Sequence, residues 1–374
     1  MRYINLALQG GGSHGAFTWG VLDALLADDR LQIDGISGTS AGAVNAVALA
    51  HGHALASAAG RDPRQGARES LARIWGEITA LGSLGAMQKN LVDMLWGRLP
   101  HELAPTNILT NTLHSLVSPY QANPLDINPL RRLLEREIDF EAIARHGSPK
   151  VFVSATHVNT GKAVIFSGQR LTAQAVMASA CLPMLFQAID IDGEHYWDGG
   201  YSANPAMSPL INECDSHDLV LVQINPLRRD RAPQSPQDIL DRINELTFNA
   251  SLLTQMRAID FVNRLLADGS LRASRCKNLL LHRIDGGEAM QAYPASSKTS
   301  TDAALIRQLF ELGVASGQRW LSRHFDALGQ RSTVDIPRDY LDDTRIGGPP
   351  GAGMPLHKKG FKSWVERWLR SSKR

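Results

Sequence analysis

The sequence predicts an α/β protein with a mainly parallel central sheet flanked by helices, and three observations predict it. An apolar run, a glycine turn and a helix-like run follow one another twice near the N-terminus, as LALQGGGSHGAF and GISGTSAGAV. Repetition of that unit is how a parallel sheet is wound. Short apolar runs then recur at 150–157, 219–224 and 279–284, separated by stretches of helical periodicity. Finally, 374 residues that are 43% hydrophobic and 20% charged suit one large folded domain with insertions, or two modest ones, and not a disordered chain.

Each element follows in order. Tyr3–Leu8 reads as a short buried strand, and Ala16–Leu26 as a helix with Phe17, Val21, Leu22 and Leu25 apolar. Ile33–Ser37 is a second strand and Ala41–Ala50 a helix of small residues able to pack closely on a sheet. The pattern is helical from Arg64 to about Ala80. Leu81–Pro124 is apolar but irregular, broken by Gly, Pro and Asn, and reads as a cap insertion. Asn128 as N-cap and Pro129 at the first helical position open NPLRRLLEREI. Lys150–His157 and Lys162–Phe166 read as paired strands, and Ala173–Ala180 as a helix ending before Pro183. AIDIDGEHYWDGG alternates through two short strands around Asp192-Gly193, a hairpin dipeptide. Leu219–Ile224 is a strand, Ile239–Leu266 a long helix, Leu279–Ile284 a strand, and Thr301–Leu328 a last helix or helix pair. No internal repeat is evident. Residues 330–360 form a Pro/Gly-rich tether, and 361–374 a basic tail.

Composition narrows the function. A net charge of +2 gives no ground for a nucleic-acid partner. Cys181, Cys214 and Cys276 show no CxxC spacing, and their odd number leaves one unpaired, which favours a reducing compartment without a disulfide framework or zinc motif. The strand-like start lacks the features of a secretory signal, and no apolar run approaches the roughly 20 residues that span a bilayer. The expected location is cytoplasmic, free or peripheral on a membrane.

GGGSHG fits G-x-G-x-x-G through Gly10, Gly12 and Gly15, and Asp34 follows about 20 residues on, as a dinucleotide fingerprint requires. Two details oppose that reading. Asp34 precedes Ile36 instead of closing its strand, and the strand end where a ribose would lie is occupied by GTSAG. No Lys-Ser/Thr follows the glycines, so the turn is not a P-loop, and a plain βα turn is the bland alternative. Gly38-x-Ser40-x-Gly42 matches a nucleophile elbow, with strand before and helix after. A serine on so sharp a bend needs glycine neighbours, because side chains there would clash. The helix that follows points its positive end at the hydroxyl. If Ser40 attacks an ester, Gly10, Gly11 and Gly12 on the neighbouring turn can offer bare N–H groups as an oxyanion hole, each donor worth about 3–4 kcal/mol.

The serine needs a base. His217, His282 and His324 sit in HDLVLV, LLLHRID and a helix, none in a glycine-marked loop, and read as ordinary surface or strand-end histidines. Asp198 in HYWDGGYSANP is the better candidate, at a strand end before Gly199 and Gly200. Tyr196, Trp197 and Tyr201 give it dry surroundings, which raise a carboxylate's basicity.

GGGSHG, GTSAG, ASACLP (Ala178–Pro183) and DGG, in this order, resemble the patatin-like phospholipases, from about Ile4 to Asn225 and more loosely to about Leu328. The resemblance implies a three-layer catalytic domain over 1–329 and a lipid acyl hydrolase with a Ser–Asp dyad and no histidine. It implies Ser40 as nucleophile, Asp198 as general base, Gly10, Gly11 and Gly12 as the oxyanion turn, and no metal or cofactor. Gly15, Gly38, Gly42, Gly199 and Gly200 support those motifs. Family members often carry Arg or Lys where His14 stands, a residue that would meet a phosphate head group or steady the turn. The expected path brings lipid over the 81–124 cap to an acyl-enzyme at Ser40, which water then releases. An acyltransferase using the same serine, or a nucleotide-binding module using GGGSHG, are the alternatives. In the tail, Phe361, Trp364, Trp368 and Leu369 share one helical face amid Lys and Arg, as in an interfacial membrane anchor. Oligomeric state is not legible.

Overall fold

The computed structural model describes residues 1–96, 118–123, 128–272 and 276–341, the side chains of 83–96, 122 and 237 apart. From the N-terminus the chain runs β1 (Arg2–Leu8), α1 (Gly15–Ala27), β2 (Leu31–Gly38), α2 (Ala41–Ala58) and α3 (Pro63–Trp96). The short helices α4 (Pro119–Ala122), α5 (Pro129–Glu137) and α6 (Phe140–His146) lead to β3 (Lys150–His157), β4 (Ala163–Ser167) and α7 (Ala173–Ser179). Then come β5 (Ile189–Ile191), β6 (Glu194–Asp198), α8 (Ser208–Glu213), β7 (Asp218–Gln223), α9 (Pro236–Ala267), β8 (Leu280–Asp285), α10 (Gly287–Gln291) and α11 (Ala303–His324).

These strands form one sheet in the order β5-β6-β3-β2-β1-β7-β8, with β4 also on β3. The five strands from β3 to β8 are parallel, and β4, β5 and β6 are antiparallel additions beside β3. Five consecutive buried residues, Ile4–Leu8, suit β1 to the centre, because a parallel strand covered on both faces has no polar side. Alternate residues face opposite layers. Leu6, Leu8, Val220 and Val222 pack under α1, α2, α3, α7 and α11, while Ala7, Leu219, Leu221 and Leu281 pack over α8 and α9. The α/β fold with helices on both faces is therefore as the sequence predicts. Asp192 and Gly193 both have positive φ, 57° and 82°, the backbone of the expected hairpin turn.

Two stretches depart from the sequence reading. α3 runs past Leu81, where the cap was expected to begin, and continues to Trp96. The stretch has no proline, and Gly82 and Gly85 do not outweigh the helix formers around them. The chain also stays packed past Gln330. Val334, Ile336 and Tyr340 are buried in the second layer, the N–H groups of Thr333 and Val334 donate to Leu281 O, and Tyr340 OH donates to Gln223 Oε1 at 2.8 Å. The segment up to Leu341 is thus held on the domain, because three apolar residues hidden in a polar stretch are enough to anchor it. Residues 97–117 of the predicted cap and 342–374, including the basic tail, lie outside the described residues. Among the described residues no helix is long and apolar enough to cross a membrane.

Candidate active site

Leu8 pairs with Gly38 at the carboxyl ends of β1 and β2, so the two glycine turns leave the sheet side by side. Ser40 caps α2 at φ 55°, a left-handed conformation that costs a non-glycine residue about 1–3 kcal/mol and recurs at functional sites. The surroundings hold it there. Ser40 N donates to Ser179 Oγ at 2.8 Å, Thr39 Oγ1 donates to Ala203 O at 2.8 Å, and Thr39 Oγ1 lies 2.6 Å from Ser154 Oγ. Gly10 is required for closeness. A Cβ there would stand 2.7 Å from Ser40 Cβ.

Strand register brings Asp198 to the serine. Residues of β3 pair with β4 on one edge, which leaves the other edge for β2 and then β6. Gly38 lies opposite Val153 and Asp198 opposite Ala155, so β6 ends on the edge of β3 just beyond the point where β2 turns into the elbow. Asp198 is fully buried. Its Oδ1 accepts from Gly200 N at 2.7 Å, its backbone N–H donates to Cys181 O, and its carbonyl accepts from Thr156 Oγ1. Oδ2 is buried without a regular hydrogen-bond partner, while the Ser40 hydroxyl approaches the same carboxyl closely enough to act on its acidity. Such contacts are often long before substrate arrives and tighten in the complex. Burial pushes the carboxyl up from 3.8 to about 7, against the lowering influence of Gly200 N–H, Ser40 and Lys298. The aromatic setting is partly as expected: Tyr196 is buried and Trp197 packs against the core, but Tyr201 is exposed.

The glycine turn differs from its sequence reading in one respect. Gly10 N donates to Asn204 Oδ1 at 2.6 Å and is not free. Among the described residues, no partner takes the N–H of Gly11, Gly12 or Ala41, the first residue of α2. Gly12 has φ 55°, and a Cβ there would meet Lys298 O at 2.1 Å. Gln9 and Asn225 brace the turn: Gln9 Oε1 accepts from Ile224 N, Asn225 N and Asn225 Nδ2, and Asn225 Nδ2 donates to Gly10 O at 2.9 Å. At Gly15, Gly38, Gly42, Gly199 and Gly200 a Cβ would come within 2.6 Å of a neighbouring atom, so all five mark close packing around the two turns.

His14 packs against the turn Ala295–Thr299. It is buried, with Nε2 2.7 Å from Ser297 Oγ and its ring edge-on to Tyr293. Burial and the charges of Lys298 and Arg229 pull its pKa down to about 3, so it stays neutral at physiological pH. Asp34 accepts from Asp215 N at 2.6 Å and Ser216 N at 2.8 Å, beside the bulge near the start of β2 and away from the glycine turns. The carboxylate of a dinucleotide fingerprint is therefore absent from where a ribose would sit. His282 is wholly buried, not at the surface. It lies near the amino end of β8, opposite the elbow, with Nε2 2.9 Å from Asp218 Oδ1 and Nδ1 3.0 Å from Thr333 Oγ1.

Sequence reasoning missed Ser179, Asn204, Asn225 and Lys298. Ser179 and Asn204 lie inside quoted motifs, ASACLP and DGGYSANP, yet neither residue type announces a bond to a distant turn. Asn225 lies just past the end of β7, the strand beside β1, and that adjacency is a matter of topology.

No curated protein sequence matches this chain at a significant level. Among solved structures it is similar to VipD from Legionella pneumophila, with 15% identity and a TM-score of 0.42 over 91% of this chain and 73% of that one. The family model described as patatin-like phospholipase matches residues 6–211, a span that holds the elbow, the glycine turn and Asp198. With more than half of its length matched, this chain belongs to the patatin-like phospholipase family.

Proposed function

We propose that the protein is a serine lipid acyl hydrolase that cleaves acyl esters of phospholipids or related lipids through Ser40 and Asp198. One observation carries the reading: a hydroxyl on a strained bend faces a buried carboxyl beside unpartnered backbone N–H groups. Asp198 takes the Ser40 proton as Oγ bonds to the acyl carbon. The N–H groups of Gly11, Gly12 and Ala41 receive the negative charge that moves to the carbonyl oxygen, the electrostatic contribution that is usually the largest. The ester bond then breaks, and the departing alcohol takes the proton from Asp198. Water next gives a proton to Asp198 and attacks the acyl-enzyme, and the fatty acid leaves as Ser40 recovers its proton. A carboxyl that titrates near neutrality suits both directions of transfer better than an exposed one.

A fluorophosphonate probe followed by intact-mass analysis tests the nucleophile. One adduct is expected on the wild type and none on Ser40→Ala. The same substitution should lower p-nitrophenyl ester hydrolysis about a thousandfold or more. Wild type without an adduct, or Ser40→Ala with full hydrolysis, would remove Ser40 from the reaction.

A further inference from the structure

The turn Ala295–Thr299 lies directly against the glycine turn. Lys298 O fills the space beside Gly12, Ser13 Oγ donates to Ser300 O, and Ser297 Oγ meets His14. From this turn the Lys298 side chain reaches inward. Its Nζ donates to Asn225 Oδ1 at 2.6 Å, and that oxygen is 3.7 Å from where a Gly11 Cβ would stand. The ammonium also lies 5.6 Å from the centre of the Phe248 ring, which packs on Gly200. It therefore sits between the N–H groups of the glycine turn and the loop that follows Asp198.

Its charge is poorly matched. Glu245, Asp241 and Asp198 attract it and Arg229 repels it, yet none of these carboxylates forms an ion pair with it. Glu245 is already held by Arg229 and by Arg242, the latter at 3.0 Å. Asp198 is protonated over much of the acidic range. Loss of water draws the ammonium down from 10.5 to about 8, still charged at neutral pH. A part-buried cation with no carboxylate in ion-pair contact is held at a cost to stability. Asn225 Oδ1 and the Phe248 face give the ammonium polar partners, but neither supplies the opposite charge. An anion supplied by the substrate would offset that cost.

We propose that Lys298 is the phosphate-recognising residue of this site, taking an anionic oxygen of a phosphodiester a few bonds from the scissile ester. The assignment rests on Ser40 and Asp198 being the reacting pair, since they define where the ester lies. Lys298 then decides between phosphate-bearing and neutral acylglycerols. It contributes through the substrate's charge, whereas His14, neutral and buried, contributes none.

The test compares wild type, Lys298→Met and Lys298→Arg on phosphatidylglycerol and on diacylglycerol with the same acyl chains, each dilute in neutral detergent micelles. The quantity read is the ratio of kcat/KM for the two lipids. The ratio should fall about tenfold or more in Lys298→Met, the loss of one charge-assisted contact, and persist largely in Lys298→Arg. Binding of the corresponding non-hydrolysable dialkyl ethers, followed by tryptophan fluorescence, should show the same loss of preference without any turnover. If the protein hydrolyses neither lipid but binds the phosphate ether through Lys298, the hydrolase reading fails and the phosphate site stands. An unchanged ratio and unchanged ether preference in Lys298→Met would overturn the proposal. So would wild-type occupancy by inorganic phosphate alone with no preference among the lipids.

Discussion

Replacing Asp198 by Asn removes a charge that the fold holds against its own stability. In ordinary surroundings the carboxyl ionises near pH 3.8, but in the folded protein burial raises this to about 7. Between those values the unfolded chain has lost the proton and the folded chain has kept it, so stability falls as pH rises through the window and stays low above it. A shift of about three units at 1.36 kcal/mol each amounts to about 4 kcal/mol, of which about 3 accumulates between about pH 4.5 and pH 8. Asn ionises in neither state, and its Oδ1 can still accept the Gly200 N–H that Asp198 accepts at 2.7 Å. Urea unfolding of both proteins at those two pH values isolates the effect. The stability difference should move in favour of Asp198→Asn by about 3 kcal/mol from the lower to the higher pH. Ester hydrolysis should be lost at both, while wild-type kcat climbs through about pH 7 as the carboxylate forms. A stability difference that is flat with pH would refute burial as the source of the basicity, because Asp198 would then titrate alike in both states.

Two more substitutions probe the frame around the pair. Asn204→Ala strands the buried Gly10 N–H, which should cost about 1–3 kcal/mol in unfolding experiments and lower kcat for a p-nitrophenyl ester as the turn loosens. If neither quantity changes, that bond is not what holds the turn. His282→Gln breaks the buried contacts to Asp218 and Thr333 and should lower stability by about 1–3 kcal/mol, yet leave ester turnover by the folded protein as it was. Loss of turnover in the folded variant would put a histidine back into the chemistry.

The sequence by itself determined the fold class, the elbow at Ser40 and the aspartate at the end of β6, because each is written in contiguous residues. A strand, a bend that admits only glycine on either side and a helix need no knowledge of the rest of the chain. Asp192-Gly193 is legible for the same reason: a hairpin of positive φ selects its own residues. Even Asp34 could be set aside from its place within its strand.

Tertiary structure decided what those residues touch. Asn204 takes the Gly10 N–H across 194 residues of sequence, which removes one amide from the expected oxyanion turn. Lys298 reaches the glycine turn from a turn far along the chain, and the same distant turn gives His14 its partner Ser297. The packing of Val334, Ile336 and Tyr340 turned part of an apparent tether into core. Local backbone preference can be read from neighbouring residues. The partner of a hydrogen bond, the desolvation of a carboxyl and the cover over an apolar side chain depend on which strands lie side by side, and the order β3-β2-β1-β7 is not the order of synthesis. Ser40 and Asp198 could be named from the chain alone, but the raised pKa of Asp198 comes from the protein closed around it.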